Sequence, residues 1–392
     1  METIFGPPRL DGHDAAVMAE VNGMRDELSH LLRVPRRWQG TLRRSAQAKA
    51  IQGSNSIEGY VVSDSDAAAA VDGEEALDAD RQTWAEILGY RRVMTYVLNV
   101  ATTPGFTLDE SAIKAMHFML LDHDLAKQPG VFRAGPVYVT GARGTTYTAP
   151  DAERVPTLMA ALVEQVRQST RPPLVKAALA HLNLVAIHPF RDGNGRMARV
   201  LQTLVLAQDK LLEPAFSSIE EWLGANTADY YAALIATQAG SWRPDNDTSS
   251  WVRFNLRAHH MQAQTTRRRF HEGSQRWIAL DGVLAEHGLP DRVEETLFNA
   301  LLGWRVSRPP YVEATRTDAR TATRDFARLV DLGLLVPHGE TRGRHYTLGP
   351  RLERVNQAIE AARQPLSDPY PDLLQAVHAD AAKVKPDTTV FM

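Results

Sequence analysis

The 392-residue chain contains no cysteine, which excludes disulfide staples, thiolate metal centres and a cysteine nucleophile. It has no apolar run long enough to span a bilayer. Its N-terminus lacks the basic-then-apolar order of a secretory leader, so a cytoplasmic protein with no membrane partner is expected. An excess of one charge is missing too. With 44 Lys plus Arg against 47 Asp plus Glu, the formal net charge is −3, and the whole surface is not biased toward nucleic acid or anionic lipid. No internal repeat is found. What remains is ordinary for a globular protein, 44% hydrophobic and 23% charged, with length for two or three domains and a substantial core.

One twelve-residue run concentrates the chemistry: His188-Pro189-Phe190-Arg191-Asp192-Gly193-Asn194-Gly195-Arg196-Met197-Ala198-Arg199. Leu174 to Ile187 before it is apolar nearly all round, as in a helix buried within a bundle. That helix should stop near His188, because the residue before a proline is pushed away from helical dihedrals. A second apolar helix is predicted from about Asn194 through Leu206. The loop between them therefore lies at a helix N-terminus, where free amides and the macrodipole attract anions. Gly193 and Gly195 allow close backbone approach to a phosphate, and Arg196 and Arg199 project from neighbouring positions of the first turns. A base, a carboxylate, an anion cradle and two guanidiniums are the parts that phosphoryl or nucleotidyl transfer needs.

The run resembles the signature of the Fic family, His-x-Phe-x-(Asp or Glu)-Gly-Asn-(Gly or Lys)-Arg-x-x-Arg, at all eight specified positions. The resemblance implies a protein adenylyltransferase that moves AMP from ATP to a hydroxyl side chain of a target protein. His188 would be the general base and Asp192 would hold Mg²⁺. Gly193, Asn194 and Gly195 would grip the phosphates, Arg196 would stabilise the leaving pyrophosphate and Arg199 would bind the γ-phosphate, while Phe190 anchors the loop. Ser54-Asn55-Ser56-Ile57-Glu58-Gly59 resembles the family's inhibitory motif, (Ser or Thr)-x-x-x-Glu-(Gly or Asn). Ser54 and Glu58 would share a helix face and Gly59 would follow the helix end. Glu58 would then pair with Arg199 and withhold it from ATP.

Two β-prone runs, Val137 to Thr140 and Thr145 to Thr148, flank a glycine-bearing turn and read as a hairpin. By the same resemblance this flap, about residues 136–148, would dock the target as an added strand. Tyr230 and Tyr231 match the segment that helps enclose the nucleotide base, where either stacks on adenine or both pack in the core. His117 and the pair His259-His260 read as helix-surface or packing residues, His181 as a satisfied core histidine, and Asp122-His123-Asp124 as a turn. Arg267-Arg268-Arg269 reads as a solvated face, and Ser63 to Asp80 as a surface connection or short helix.

The predicted fold class is mainly α: a Fic-fold helical bundle with a β-hairpin flap, plus a C-terminal winged helix-turn-helix domain. Expected divisions are 1–105 with an inhibitory helix at about 45–60, a catalytic core at 106–265, the winged module at 275–352, and a helix with a polar tail at 353–392. Residues 301–350 hold eight Arg against five Asp plus Glu, and Thr321, Thr323, Arg324 and Arg328 should face outward on the second helix of the module. DNA is one partner that fits such a surface; protein interaction or homodimerisation fits it equally. Alternatives to AMP transfer are AMP removal, transfer of another nucleotide, and a DNA-binding transcriptional regulator using the core as a ligand sensor.

Overall fold

Apolar residues recur at helical spacing along most of the chain, and helices dominate the computed structural model, which describes residues 2–141, 144–208, 216, 218–340 and 343–384. From the N-terminus come α1 (Gly12–Leu32), α2 (Gln39–Ser56), α3 (Asp64–Asp72), α4 (Arg81–Val100) and α5 (Glu110–Leu121). A hairpin of β1 (Tyr138–Gly141) and β2 (Gly144–Thr148) precedes α6 (Val155–Gln168), α7 (Pro173–Ile187), α8 (Asn194–Ala207), α9 (Glu220–Ala225), α10 (Thr227–Gln238) and α11 (Ser249–His287). Then follow α12 (Glu294–Leu301), α13 (Arg308–Thr315) and α14 (Ala319–Asp331), the strands β3 (Leu335–His338) and β4 (His345–Leu348), α15 (Pro350–Ala361) and α16 (Leu373–Lys383). None of the helices in the described residues is long and apolar enough to cross a membrane.

The antiparallel α7–α8 pair sits at the centre. Pro173 occupies the first turn of α7, where a missing N–H costs nothing, and nearly every later side chain of both helices is buried. α1, α2, α4, α6, α10 and α11 pack around the pair, sharing one core that includes Tyr90, Met116, Phe190, Leu204 and Trp251. A second core joins the far half of α11 to α12, α13, α14 and the β3–β4 hairpin through Leu280, Leu297, Phe298, Phe326, Leu329 and Tyr346. On α14, Ala322, Asp325, Phe326 and Leu329 point inward, whereas Thr323, Arg324 and Arg328 are exposed and Thr321 is half-buried. Arg328 donates to the His287 carbonyl, so part of that outward face is already engaged.

Three expectations are corrected. The division placed between 265 and 275 falls inside α11, which runs unbroken for 39 residues and carries both cores. The stretch Ser63 to Asp80 does hold the short helix expected as one reading, α3, but not at the surface: Ala67 to Ala70 are buried, because small side chains let α3 lie close to α2 and α4. Where only a polar tail is expected after one helix, the described residues hold a second, docked helix, α16. Tyr370 donates to Asp14 at 2.8 Å, Arg257 grips Asp368 at 2.7 Å, and Val377 of α16 is buried against α10. Polar pairs on an amphipathic helix anchor it here, a signal that composition alone hides.

Where α2 crosses α9, Gly53 and Gly224 face each other. A β-carbon on Gly53 would lie 2.4 Å from the Glu220 carbonyl oxygen and 2.8 Å from the Glu221 α-carbon. Backbone cannot yield as a side-chain tip does, so Gly53→Ala should lower unfolding stability by ~1–3 kcal/mol, the usual cost of overpacking. Urea denaturation checks this, and a neutral result would mean that α2 is not held against α9 as described.

Candidate functional site

The loop at 188–193 is shaped by backbone bonds before any ligand is considered. α7 ends as His188 takes left-handed backbone angles (φ 50°) while its N–H still bonds Leu184. Gly193, also left-handed (φ 75°), turns the chain into α8. Arg133 clamps the loop from outside: its Nε donates to the His188 carbonyl at 2.7 Å, its Nη2 to the carbonyls of Pro150 and Ile187, and its backbone N–H to Pro189 at 2.9 Å. Inside, Phe190 is fully buried and stacks on the His117 ring at 3.7 Å. The Gly130 N–H donates to His117 Nδ1, so the Nε2 proton is left to bond the Asp192 carbonyl at 3.0 Å.

His188 has the tautomer and the neutral ring that a base would need. Its Nδ1 lies 3.1 Å from the Val185 carbonyl, which can only accept, so Nδ1 holds the proton and Nε2 presents a lone pair. Burial pulls its pKa down to about 4 against the smaller opposing effect of that carbonyl. The ring is therefore neutral near pH 7. Asp192 is 43% exposed at the side chain and is paired with Lys127 at 2.9 Å. Burial alone would raise its carboxyl, but Lys127 and the Gly193 N–H outweigh this and hold it below the usual range.

Both motif arginines are buried, at 1% exposure each. Arg199 donates Nε to Ser54 Oγ (2.7 Å), and Nη2 to the Ser54 carbonyl (2.9 Å) and to Glu58 Oε1 (2.7 Å). Burial would lower its pKa, yet the Glu58 carboxylate keeps the guanidinium charged. Glu58 itself stands two residues beyond the end of α2, in the turn that closes it, followed by Gly59 at φ 88°. A β-carbon on Gly195 would meet Glu58 Oε1 at 2.6 Å, so a larger residue there would shift this carboxylate from its place over the N-terminus of α8. An internal anion thus lies where that helix end attracts anions.

Arg196 is held differently, with Nη1 2.5 Å from Glu86 Oε2 and the guanidinium 5.5 Å from the Tyr60 ring. Glu86 also bonds Lys127 at 2.7 Å and lies 3.3 Å from His123. Burial pushes the Glu86 carboxyl up, but Arg196 and Lys127 prevail and hold it down at about 2. Arg199 Nη1 and Arg196 Nε are buried donors with no partner among the described residues. Unpaired buried donors are costly, and two beside a helix N-terminus would be satisfied by an acceptor there.

Two expected site residues behave otherwise. The Asn194 carboxamide closes a ring with Phe190, accepting its N–H and donating to its carbonyl, both at 2.9 Å. It stiffens the loop and spends one Nδ2 proton there, leaving a single side-chain N–H for a phosphate. Tyr230 is 1% exposed, its hydroxyl bonded to His181 Nε2 and its ring packed near Trp251, so the core takes it in preference to a base. Tyr231, at 40% exposure, stands at the opening with its hydroxyl 3.3 Å from the Ile57 carbonyl. The hairpin forms with Tyr138 opposite Thr148, and buried Tyr147 ties it to the Ala186 carbonyl beside the loop; its turn residues Ala142 and Arg143 lie outside the described residues.

The sequence reading passed over Glu86, Lys127 and Arg133, and gave His117 only a packing role. Glu86 did leave a trace. It falls on the stripe Glu86, Tyr90, Val93, Val97 of α4, and a carboxylate on an apolar face signals a buried partner. Lys127 and Arg133 sit in loops with no periodicity to mark them.

A family model described as Fic/DOC family matches residues 107–206. The chain is similar to protein adenylyltransferase fic-1 of Caenorhabditis briggsae, 32% identical over 135 residues, which is 34% of this chain and 24% of that protein. It is similar as well to protein adenylyltransferase Fic of Drosophila yakuba, 35% identical over 124 residues, 31% of this chain and 24% of that protein. The chain thus spans about a quarter of the length of the curated relatives it matches. In fold it resembles the crystal structure of a Fic family protein from Desulfovibrio desulfuricans G20, with a TM-score of 0.55 and 24% identity, covering 88% of this chain and 99% of that one. With the signature loop and the central helix pair, residues 107–206 form a domain of the Fic/DOC family.

Proposed function

We propose that the protein is an adenylyltransferase held inactive by its own Glu58, transferring AMP from ATP to a hydroxyl of a target protein. The observation that carries this reading is the Arg199–Glu58 pair at 2.7 Å, beside an unpaired Arg199 Nη1 and a helix N-terminus. Polyphosphate is the ligand such donors fit. Arg199 offers the γ-phosphate a charge only once Glu58 lets go, and Arg196 offers its free edge to the departing pyrophosphate. Gly195 lies in the first turn of α8, where backbone N–H groups have no partner within the helix, whereas the Gly193 N–H already bonds Asp192.

The residues present also fit Mg²⁺. One half-exposed carboxylate, Asp192, is an ordinary protein share for an ion whose other ligands are phosphate oxygens and water. Bound there, the ion would neutralise charge that develops on the phosphates. In the step itself, His188 Nε2 takes the proton from the target hydroxyl. That oxygen forms a bond to the α-phosphorus, the bond from phosphorus to the α–β bridging oxygen breaks, and pyrophosphate leaves with the electron pair. Arg133, His117 and Asn194 act through the loop, keeping the base and the amides in register. The β1–β2 edge is where the target segment would lie as an added strand.

The DNA-binding alternative has less behind it. The elements from α12 to β4 follow the order of a winged helix, but Arg328 is spent on His287 and Arg308 donates to Thr323 on the same outer face.

Wild type, Glu58→Gly and the double variant Glu58→Gly with His188→Ala, each incubated with α-labelled ATP, Mg²⁺ and cell lysate, test the reading. Label on protein should rise about tenfold or more in Glu58→Gly, since one factor of ten needs only ~1.4 kcal/mol of the several that a desolvated pair holds. It should vanish in the double variant. No label in any of the three would sink AMP transfer and move the choice to AMP removal or another donor.

The acid limb of the released enzyme gives a second check. A base must be unprotonated, and burial has lowered the His188 pKa from 6.5 to about 4. The rate of Glu58→Gly should therefore stay level as pH falls through 6.5 and drop only near 4–5. A drop centred on 6.5 would contradict a buried, neutral His188.

A further inference from the structure

Four charges of the site form one chain: Arg196–Glu86–Lys127–Asp192. Glu86 bonds Arg196 at 2.5 Å and Lys127 at 2.7 Å, and Lys127 Nζ reaches Asp192 Oδ2 at 2.9 Å. The formal charges cancel, and no position except Asp192 is more than 19% exposed at the side chain. Lys127 ends a short 3-10 turn, Leu125–Lys127, whose backbone is bolted to the catalytic loop on both sides. Arg191 donates to the Ala126 carbonyl at 3.3 Å, and the Gly130 N–H donates to His117, which in turn holds Asp192. With the backbone fixed, only the ammonium has room to move.

We propose that Lys127 is a positioning residue for the metal ligand, a resident cation that holds the Asp192 carboxylate in the site and is displaced from it when a divalent ion arrives with nucleotide. This rests on the nucleotide-site reading above. The exchange is cheap for a stated reason. Lys127 that lets go of Asp192 keeps Glu86 at 2.7 Å, so its ammonium is not left unpaired, and Glu86 keeps Arg196. A dication outcompetes a monocation for one carboxylate once phosphate oxygens supply its other ligands. Lys127 thus opposes metal binding at Asp192 while preventing that carboxylate from folding onto Arg196, a guanidinium needed for phosphate. It is a second restraint on the site, separate from Glu58 in residues and in what it holds.

The test uses the full chain carrying Glu58→Gly and measures ATP dissociation constants calorimetrically, once with excess Mg²⁺ and once with EDTA. Adding Lys127→Met should tighten Mg²⁺–ATP by roughly fivefold, the scale of one partly exposed ion pair, without tightening metal-free ATP. Glu86 stays paired with Arg196 in this variant, so folding is not at stake, and the Tm should match its parent. In an Asp192→Asn background the same Lys127→Met change should leave the ratio of the two constants unaltered. Weaker binding with and without metal would make Lys127 a plain phosphate ligand and overturn the proposal, as would an unchanged ratio in the Asp192 background. Absence of any ATP binding by the Glu58→Gly parent would instead overturn the nucleotide-site reading itself.

Discussion

The rest of the site depends on one constraint: a guanidinium removed from water must find its charge partner inside the protein. Arg199 is 1% exposed, and an unpaired charge at such depth costs several kcal/mol. With no ligand bound, Glu58 and Ser54 supply the partners, and the same carboxylate lies over the α8 N-terminus. Burying the arginine thus creates the need for an anion, and the fold meets that need from within. A triphosphate can meet it too. On the proposed reading, inhibition and substrate binding become alternatives at one charge.

Holding Glu58 in place is a matter of packing. α2 reaches its position because Gly53 and Gly224 let it lie against α9 with backbone nearly touching backbone. The loop opposite is fixed by Arg133, His117 and Asn194, whose bonds run mostly to backbone carbonyls and amides. Rigid surroundings make the choice at Arg199 a two-state one, since neither the loop nor the helix end can drift to a compromise.

Much of this was legible in the sequence, because dense signals were local. The apolar run to Ile187, the proline after His188 and the glycines at 193 and 195 placed the helix–loop–helix, and β-prone runs placed the hairpin. The Fic likeness supplied the pairing of Glu58 with Arg199 across 141 residues, which spacing alone cannot give. What stayed hidden was long-range and polar. Glu86 meets Arg196 from 110 residues away, Lys127 reaches Asp192 from a loop, and the 362–384 segment docks through Asp368 and Tyr370. Asn194 shows a related limit: a signature names a residue type but not the Phe190 backbone that its carboxamide also holds. The boundary inside α11 failed because a continuous helix with two different buried faces looks, in sequence, like two helices.

The most direct measurement is a double-mutant cycle on Mg²⁺–ATP affinity with Glu58→Gly, Arg199→Met and their combination, methionine keeping the side chain's bulk while dropping its charge. If Glu58 acts by occupying Arg199, then Glu58→Gly tightens ATP when Arg199 is present and has almost no effect once it is Met. An equal gain from Glu58→Gly in both backgrounds would contradict the shared-arginine mechanism and leave Glu58 as simple bulk or charge at the mouth of the site.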